Sequence, residues 1–177
     1  RQKMGELPQF RITEAFPFMH TGSIITREGV KVYVLIFTCA VTRAVHFELV
    51  DDMSVQEFIG AFGTFCARRG TPTVCYSDNA ATYKAAKKKV EQQWCDIITE
   101  AITKPTMLER KVKWEFIPCR APWWGGWWER VVSMLKSHLK KAMAKALFTK
   151  KQIGRLLPQI EATVNSRPIT HVPSGGN

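Results

Sequence analysis

The 177-residue chain has no CxxC pair, no excess of acid and no long apolar run. Each absence excludes something. Its five cysteines (39, 66, 75, 95 and 119) are an odd number spread widely, so the sequence predicts reduced, buried thiols of an intracellular protein, not a disulfide framework. The four histidines (20, 46, 138 and 171) have no metal-ligand spacing to one another or to those cysteines, which argues against a zinc site. The longest apolar stretch, Val32 to Val41, contains Thr38 and is far shorter than the roughly 20 residues a bilayer span needs. No charged-then-apolar signal segment opens the chain. There is no G-x-S-x-G, no Walker loop and no G-x-G-x-x-G, so the common serine-hydrolase and nucleotide-binding chemistries have no support. No Asp occurs between Arg1 and Val50. Arg1 stands where an initiator Met would, so the sequence reads as a piece of a longer polypeptide.

What is present is apolar bulk and positive charge. The 45% apolar content and six Trp are enough to build a core, and the length suits one domain. The net charge is +11 and it is unevenly placed. Residues 1–103 carry 12 basic and 11 acidic side chains, whereas residues 104–177 carry 14 basic and 4 acidic. A field of one sign concentrated in one region attracts a polyanion. A merely solvated basic face is the plainer reading.

Patterning orders the elements. Residues 1–15 read as a lead-in segment and 16–177 as the domain. Phe18 to Thr26 reads as a short strand, Arg27-Glu28-Gly29 as a turn, and Val30 to Cys39 as a buried strand. Ala44 to Val50 follows closely as its antiparallel neighbour. Ser54-x-x-Glu57 opens a helix with an apolar face at Phe58, Phe62 and Phe65, and Arg68 to Pro72 ends it. Thr73 to Ser77 is a strand, Ala80 to about Ile98 a helix, residues 99–111 a short helix or loop, and Val112 to Pro118 a strand. Arg120 to Gly126 reads as a loop. A long helix then starts near Gly126 and runs to about Leu147, with Val131, Val132, Leu135, Leu139, Ala142 and Ala146 on one stripe. Thr149-x-x-Gln152 opens a last helix, which Asn165 to Pro168 ends. This order predicts an α/β fold, a mixed sheet flanked by helices.

Three places can carry chemistry. Asp78 stands at the carboxyl end of a strand, where ligand sites gather in α/β sheets, although Asp there also simply caps the next helix. Glu129 reads as a first-turn acid, suited to the helix dipole or to metal ligation. Ser133, Lys136 and Lys140 share its face, and the lysines would meet phosphates. Trp123-Trp124-Gly125-Gly126-Trp127-Trp128 puts four Trp in six residues. Core packing accounts for at least two of them. A mobile loop beside the carboxylate, with rings to stack on bases, is the functional alternative.

Several blocks together resemble the integrase of BEL/Pao-type LTR retrotransposons. They are KVYVLIFTCAVTRAVHFELV (31–50), FCARRGTP (65–72), YSDNA (76–80), WEFIPCRAPWWGGWWERVV (114–132) and IEATVNSRPIT (160–170). They keep the family's order and approximate spacing from about Phe16 to Val172. The resemblance implies a ribonuclease-H-like fold and a DDE polynucleotidyl transferase, in which two Asp and one Glu hold two divalent ions, Mg²⁺ or Mn²⁺. It places the second Asp on Asp78 and the Glu on Glu129. It implies DNA as partner (element ends and target duplex), a homo-oligomer, no membrane, and action in the nucleus. Lys136, Lys140, Arg130 and Ser133 are the DNA-contact candidates. The chain lacks the zinc-binding His/Cys module that usually precedes this core and the region that usually follows it.

The departure falls on the first Asp. Members follow the block matching His20-Thr21-Gly22 with a V-D-Y-x-G-P-like stretch, whereas here Gly22 is followed by Ser23-Ile24-Ile25-Thr26. The simplest account is that several residues are missing. Glu28 and Glu48 do not occupy the motif position. The loss predicts impaired strand transfer, a shortened first strand and a disturbed hairpin at Arg27–Gly29. The competing readings are a non-enzymatic DNA-binding or interaction module that keeps the fold, and a basic domain for RNA or acidic membranes.

Overall fold

The computed structural model describes residues 9–11, 13–28, 32–77, 93, 95–117, 122–142 and 148–167. Its centre is a five-stranded mixed sheet of order β3-β2-β1-β4-β5. The strands are β1 (His20–Glu28), β2 (Val32–Cys39), β3 (Val45–Val50), β4 (Val74–Ser77) and β5 (Lys113–Phe116). The first three form an antiparallel meander, and β4 and β5 join β1 in parallel. The helices are α1 (Val55–Arg69), α2 (described over 95–101), α3 (Pro105–Leu108), α4 (Pro122–Ala142) and α5 (Lys150–Asn165). The mixed sheet with flanking helices is the architecture the element order predicts. Most of the helix expected over Ala80–Ile98 lies outside the described residues.

The run of β-branched and aromatic residues in β2 is explained by burial on both faces. Leu35, Phe37 and Cys39 face α1 and pack with Phe58, Phe62, Phe65 and Cys66. The Phe37 and Phe65 rings stack with centroids 4.2 Å apart. On the other face, Val34 and Ile36 pack with Val131, Leu135 and Leu139 of α4 and with Ile153, Leu157 and Ile160 of α5. The apolar stripes read from helical periodicity are therefore real core faces. Ala142 and Ala146 of the expected stripe have no described side chains.

The caps decide where the helices begin and end. The Ser54 hydroxyl accepts from the Glu57 N–H at 3.2 Å, but the Glu57 carboxylate turns back to the Asp51 N–H, so that box is only half made. At Thr149 the box is reciprocal. Gly70 closes α1 at φ 91°, a conformation that glycine adopts without a Cβ penalty.

Two expectations are corrected. β1 is not shortened: it runs nine residues and pairs with β2 without a break from Thr21↔Cys39 to Glu28↔Val32. Arg27 and Glu28 are ladder residues, not a turn, because β2 offers a complete backbone edge and β1 continues along it. Gly29 lies outside the described residues. The second correction concerns α4, which starts at Pro122 and not near Gly126. Proline suits the first helical position, since it lacks an N–H that would go unused there. The Trp-Trp-Gly-Gly-Trp-Trp stretch is thus helix, not a mobile loop.

Cys39, Cys66 and Cys75 are buried and Cys95 is half-buried, and none of the four is in a disulfide. Burial pushes the Cys75 thiol well above its ordinary range. Cys119 lies outside the described residues. Among the described residues, no helix is long and apolar enough to cross a membrane.

Candidate active site and nucleic-acid interface

β4 ends at Ser77, and Asp78 follows it in sequence but lies outside the described residues. Glu129 is described, and what positions it is its neighbour Trp128. The Trp128 side chain is fully buried in a small cluster with Ala40, Tyr76 and Ile117. Tyr76 is the penultimate residue of β4, so the Trp pins this turn of α4 over the strand that leads to Asp78. Glu129 itself is exposed. It is the eighth residue of α4, past the first turn, so the helix-start placement read from sequence is corrected along with the helix boundary. A carboxylate there draws little from the helix dipole, which acts within the first turn.

Where β1 runs beside β4 it brings no acid. Gly22 of β1 pairs with Tyr76 and Ser23 with Ser77. The Ser23 hydroxyl donates to the Tyr76 carbonyl at 3.4 Å, and the Ser77 hydroxyl to the Ser23 carbonyl at 3.5 Å. Glu28 is the last residue of β1. Glu48 lies on β3 and is engaged by His46 and Arg68. Neither occupies the motif position of the absent Asp. Burial, helped by Glu115 and Cys75, pushes the Tyr76 phenol up to about 12, which keeps it protonated and a poor proton donor at neutral pH.

A two-ion site is built from clustered carboxylates whose mutual repulsion the cations offset. Among the described residues, no group of three His, Cys, Asp or Glu is arranged so that it could hold a metal ion. Glu129 offers hard oxygen donors of the kind Mg²⁺ or Mn²⁺ takes, but one carboxylate and the β1 hydroxyls do not fit a pair of ions.

The outer face of α4 is basic, as its periodicity predicts. Arg130, Ser133, Lys136 and Lys140 are all exposed, while Val131, Leu135 and Leu139 on the opposite side are buried. The four DNA-contact candidates therefore share one solvent-facing surface that begins beside Glu129.

Sequence reasoning missed a second set of polar residues. The β2–β3 turn carries Arg43 at φ 60°, and Arg167, just past α5, donates to the Arg43 carbonyl at 3.2 Å and the Val164 carbonyl at 3.2 Å. The block IEATVNSRPIT contained the signal, because Glu161, Asn165 and Arg167 are among its polar positions. Their partners on β3, on α1 and in the turn are more than 90 residues away, and no local pattern shows them.

No protein-family model matches the sequence, and no curated protein matches it. Solved structures do. A chain of the simian T-cell lymphotropic virus intasome in complex with the PP2A regulatory subunit B56 gamma matches with TM-score 0.64 at 14% identity. That match covers 99% of this chain but spans only 63% of the other. The HTLV-2 integrase catalytic core domain in complex with magnesium, in a trimeric form, matches with TM-score 0.58 at 16% identity, covering 90% of this chain and 93% of that one. The catalytic core domain of BIV integrase matches with TM-score 0.60 at 13% identity, covering 87% and 88%. Identities this low show the fold, which is the ribonuclease-H-like mixed sheet of integrase catalytic cores.

Proposed function

We propose that this chain is the catalytic core of a retrotransposon integrase of BEL/Pao type, which binds DNA and whose strand-transfer site is incomplete. The observation that carries the reading is the placement of Glu129. Its neighbour Trp128 is buried in one cluster with Tyr76 of β4, two residues before Asp78 in sequence, and the basic face of α4 starts at Arg130. A carboxylate edge flanked by cations is what phosphoryl transfer on a polyanion requires. The five sequence blocks supply the family, and the fold shared with retroviral integrase cores agrees with it. Asp78 and Glu129 are the proposed catalytic and metal-holding residues, with Mg²⁺ or Mn²⁺ held singly and weakly. The partners are element ends and target duplex, with a second copy of the chain, and the site of action is the nucleus.

One observation favours the alternative of a DNA-binding module that has given up catalysis. β1 passes β4 through Gly22 and Ser23 in unbroken register, with no acid and no distortion where a third carboxylate would be needed.

The DNA-binding reading is tested by affinity for duplex DNA over a range of salt. Each phosphate contact contributes about 0.9 to the slope of log K against log salt. The double variant Lys136→Ala, Lys140→Ala should flatten the slope by about 1.8. An unchanged slope would remove α4 from the interface.

A further inference from the structure

A small cavity of about 210 Å³ opens between the β2–β3 turn and the end of α5, lined by Thr42, Arg43, Ala44, Val164, Asn165 and Arg167. It is smaller than the roughly 300 Å³ at which pockets for drug-sized ligands begin. No lining residue is acidic. Two of them are arginines held at close quarters, since the Arg167 guanidinium bonds the Arg43 carbonyl. That bond and the one to the Val164 carbonyl occupy two of the five N–H donors of Arg167. Both arginines are half-buried. Arg43 is also within electrostatic reach of Arg11, and Arg167 of Arg130.

Positive groups gathered this way repel one another. Burial and then Arg43 lower the Arg11 guanidinium to about 10, and burial and then Arg130 lower that of Arg167. An anion among them would offset both costs. Guanidinium is the group whose planar fork matches phosphate oxygens. Arg130 ties the cavity to the rest of the molecule, because it follows Glu129 on α4.

We propose that this cavity is a phosphate-binding subsite, in which Arg43 and Arg167 take one phosphate group against the Thr42 wall. On the DNA-binding reading above, that group is a backbone phosphate of the strand that passes Glu129. The subsite itself does not depend on that reading.

The test uses the full chain with two probes, inorganic phosphate and a duplex oligonucleotide. Arg43→Gly is the informative variant. It removes a guanidinium at a residue with φ 60°, a conformation glycine adopts freely, so the fold should be retained. Arg167→Gln is the second variant. Phosphate should raise the melting temperature of the parent chain above that in chloride of equal ionic strength, and both variants should lose that rise. The duplex-DNA salt slope should flatten by about 0.9 in Arg43→Gly, one phosphate contact. No phosphate-dependent shift in the parent, or an equal shift in folded variants, overturns the subsite. A lost phosphate shift with an unchanged DNA slope shows a small phosphorylated ligand and overturns the nucleic-acid occupant. A parent that binds phosphate but not DNA upholds the subsite and overturns the function proposed above.

Discussion

Asn165 of α5 holds the outer edge of β3 at Val45 with both halves of its side-chain amide. Its Oδ1 accepts from the Val45 N–H at 2.7 Å, and its Nδ2 donates to the Val45 carbonyl at 2.9 Å. One turn earlier, the Glu161 carboxylate accepts from the Phe47 N–H at 2.9 Å. An exposed strand edge invites pairing with another chain, and here a helix covers it with its own polar side chains. Asn165→Ala should cost about 1–2 kcal/mol, two neutral hydrogen bonds at the usual net value. Asn165→Asp should cost more than Asn165→Ala, because its second oxygen would face the Val45 carbonyl with no proton between them. Urea denaturation of the three proteins checks the order, and an Asp variant as stable as the parent would contradict the bonding described.

His46 and Glu161 give the fold a pH window. His46 is buried between Glu48, at 2.7 Å, and Glu161, at 3.6 Å. Burial acts to lower its pKa, but Glu161 and then Glu48 outweigh it, and the net direction is up from 6.5. Burial likewise acts to raise Glu161, but His46, the Phe47 N–H and Arg69 hold it below 4.5. The His46 contribution is therefore complete below pH 6.5 and lost as pH rises through its raised value. The Glu161 contribution is complete above pH 4.5 and lost as pH falls through its lowered value. The melting temperature should peak between those limits. Glu161→Gln should flatten both limbs and cost about 2–3 kcal/mol near pH 6, less than the ~3–5 for a fully buried pair because Arg69 reaches water. A parallel, merely shifted pH curve for Glu161→Gln would assign the window to other groups.

Elements whose burial is periodic in sequence could be read from it. The β2 run, the Phe face of α1 and the Val131–Leu135–Leu139 stripe each state their own core side, and the exposed lysines of α4 follow from the same period. What failed was local chemistry overridden by distant contacts. Gly125-Gly126 looks like a break because glycine is costly in a helix, yet Trp128 anchors the helix against the sheet just beyond it. The Glu161 and Asn165 contacts bridge 114 and 120 residues. Of the candidate site, the exposed basic face of α4 was legible. The position of Glu129 along α4 was not, because it depends on where the helix begins.

That helix boundary makes a prediction at Gly126. It is an exposed interior position of α4, and a Cβ placed there meets nothing within 4 Å. Gly126→Ala should stabilise the chain by about 0.5–1 kcal/mol, the helix cost of glycine relative to alanine. A loop at this position, as the dipeptide suggests, would show no gain or a loss. Thermal unfolding with matched far-ultraviolet circular dichroism distinguishes the two.

The register of β1 names a position for the absent carboxylate. Ser23 pairs with Ser77 in the parallel ladder, and one step further in each segment the sequence has Ile24 and Asp78. Position 24 also stands two residues after Gly22, as the Asp does in the G-V-D stretch of the family resembled here. Two routes restore three acids: inserting Val-Asp-Tyr-Ala-Gly-Pro after Gly22, or the single change Ile24→Asp. The insertion must bulge a strand that pairs without a break over its length, whereas the substitution keeps the register. Clustered carboxylates repel until a cation binds, so Ile24→Asp alone should lower the melting temperature, and Mg²⁺ or Mn²⁺ should then raise it in the variant more than in the parent. Strand transfer should be near background in the parent, measurable and metal-dependent in Ile24→Asp, and abolished again by adding Glu129→Gln. If the parent already transfers strands with metal as well as Ile24→Asp does, the site is complete without an acid on β1. If metal stabilises neither protein, Asp78 and Glu129 do not form a metal site at all.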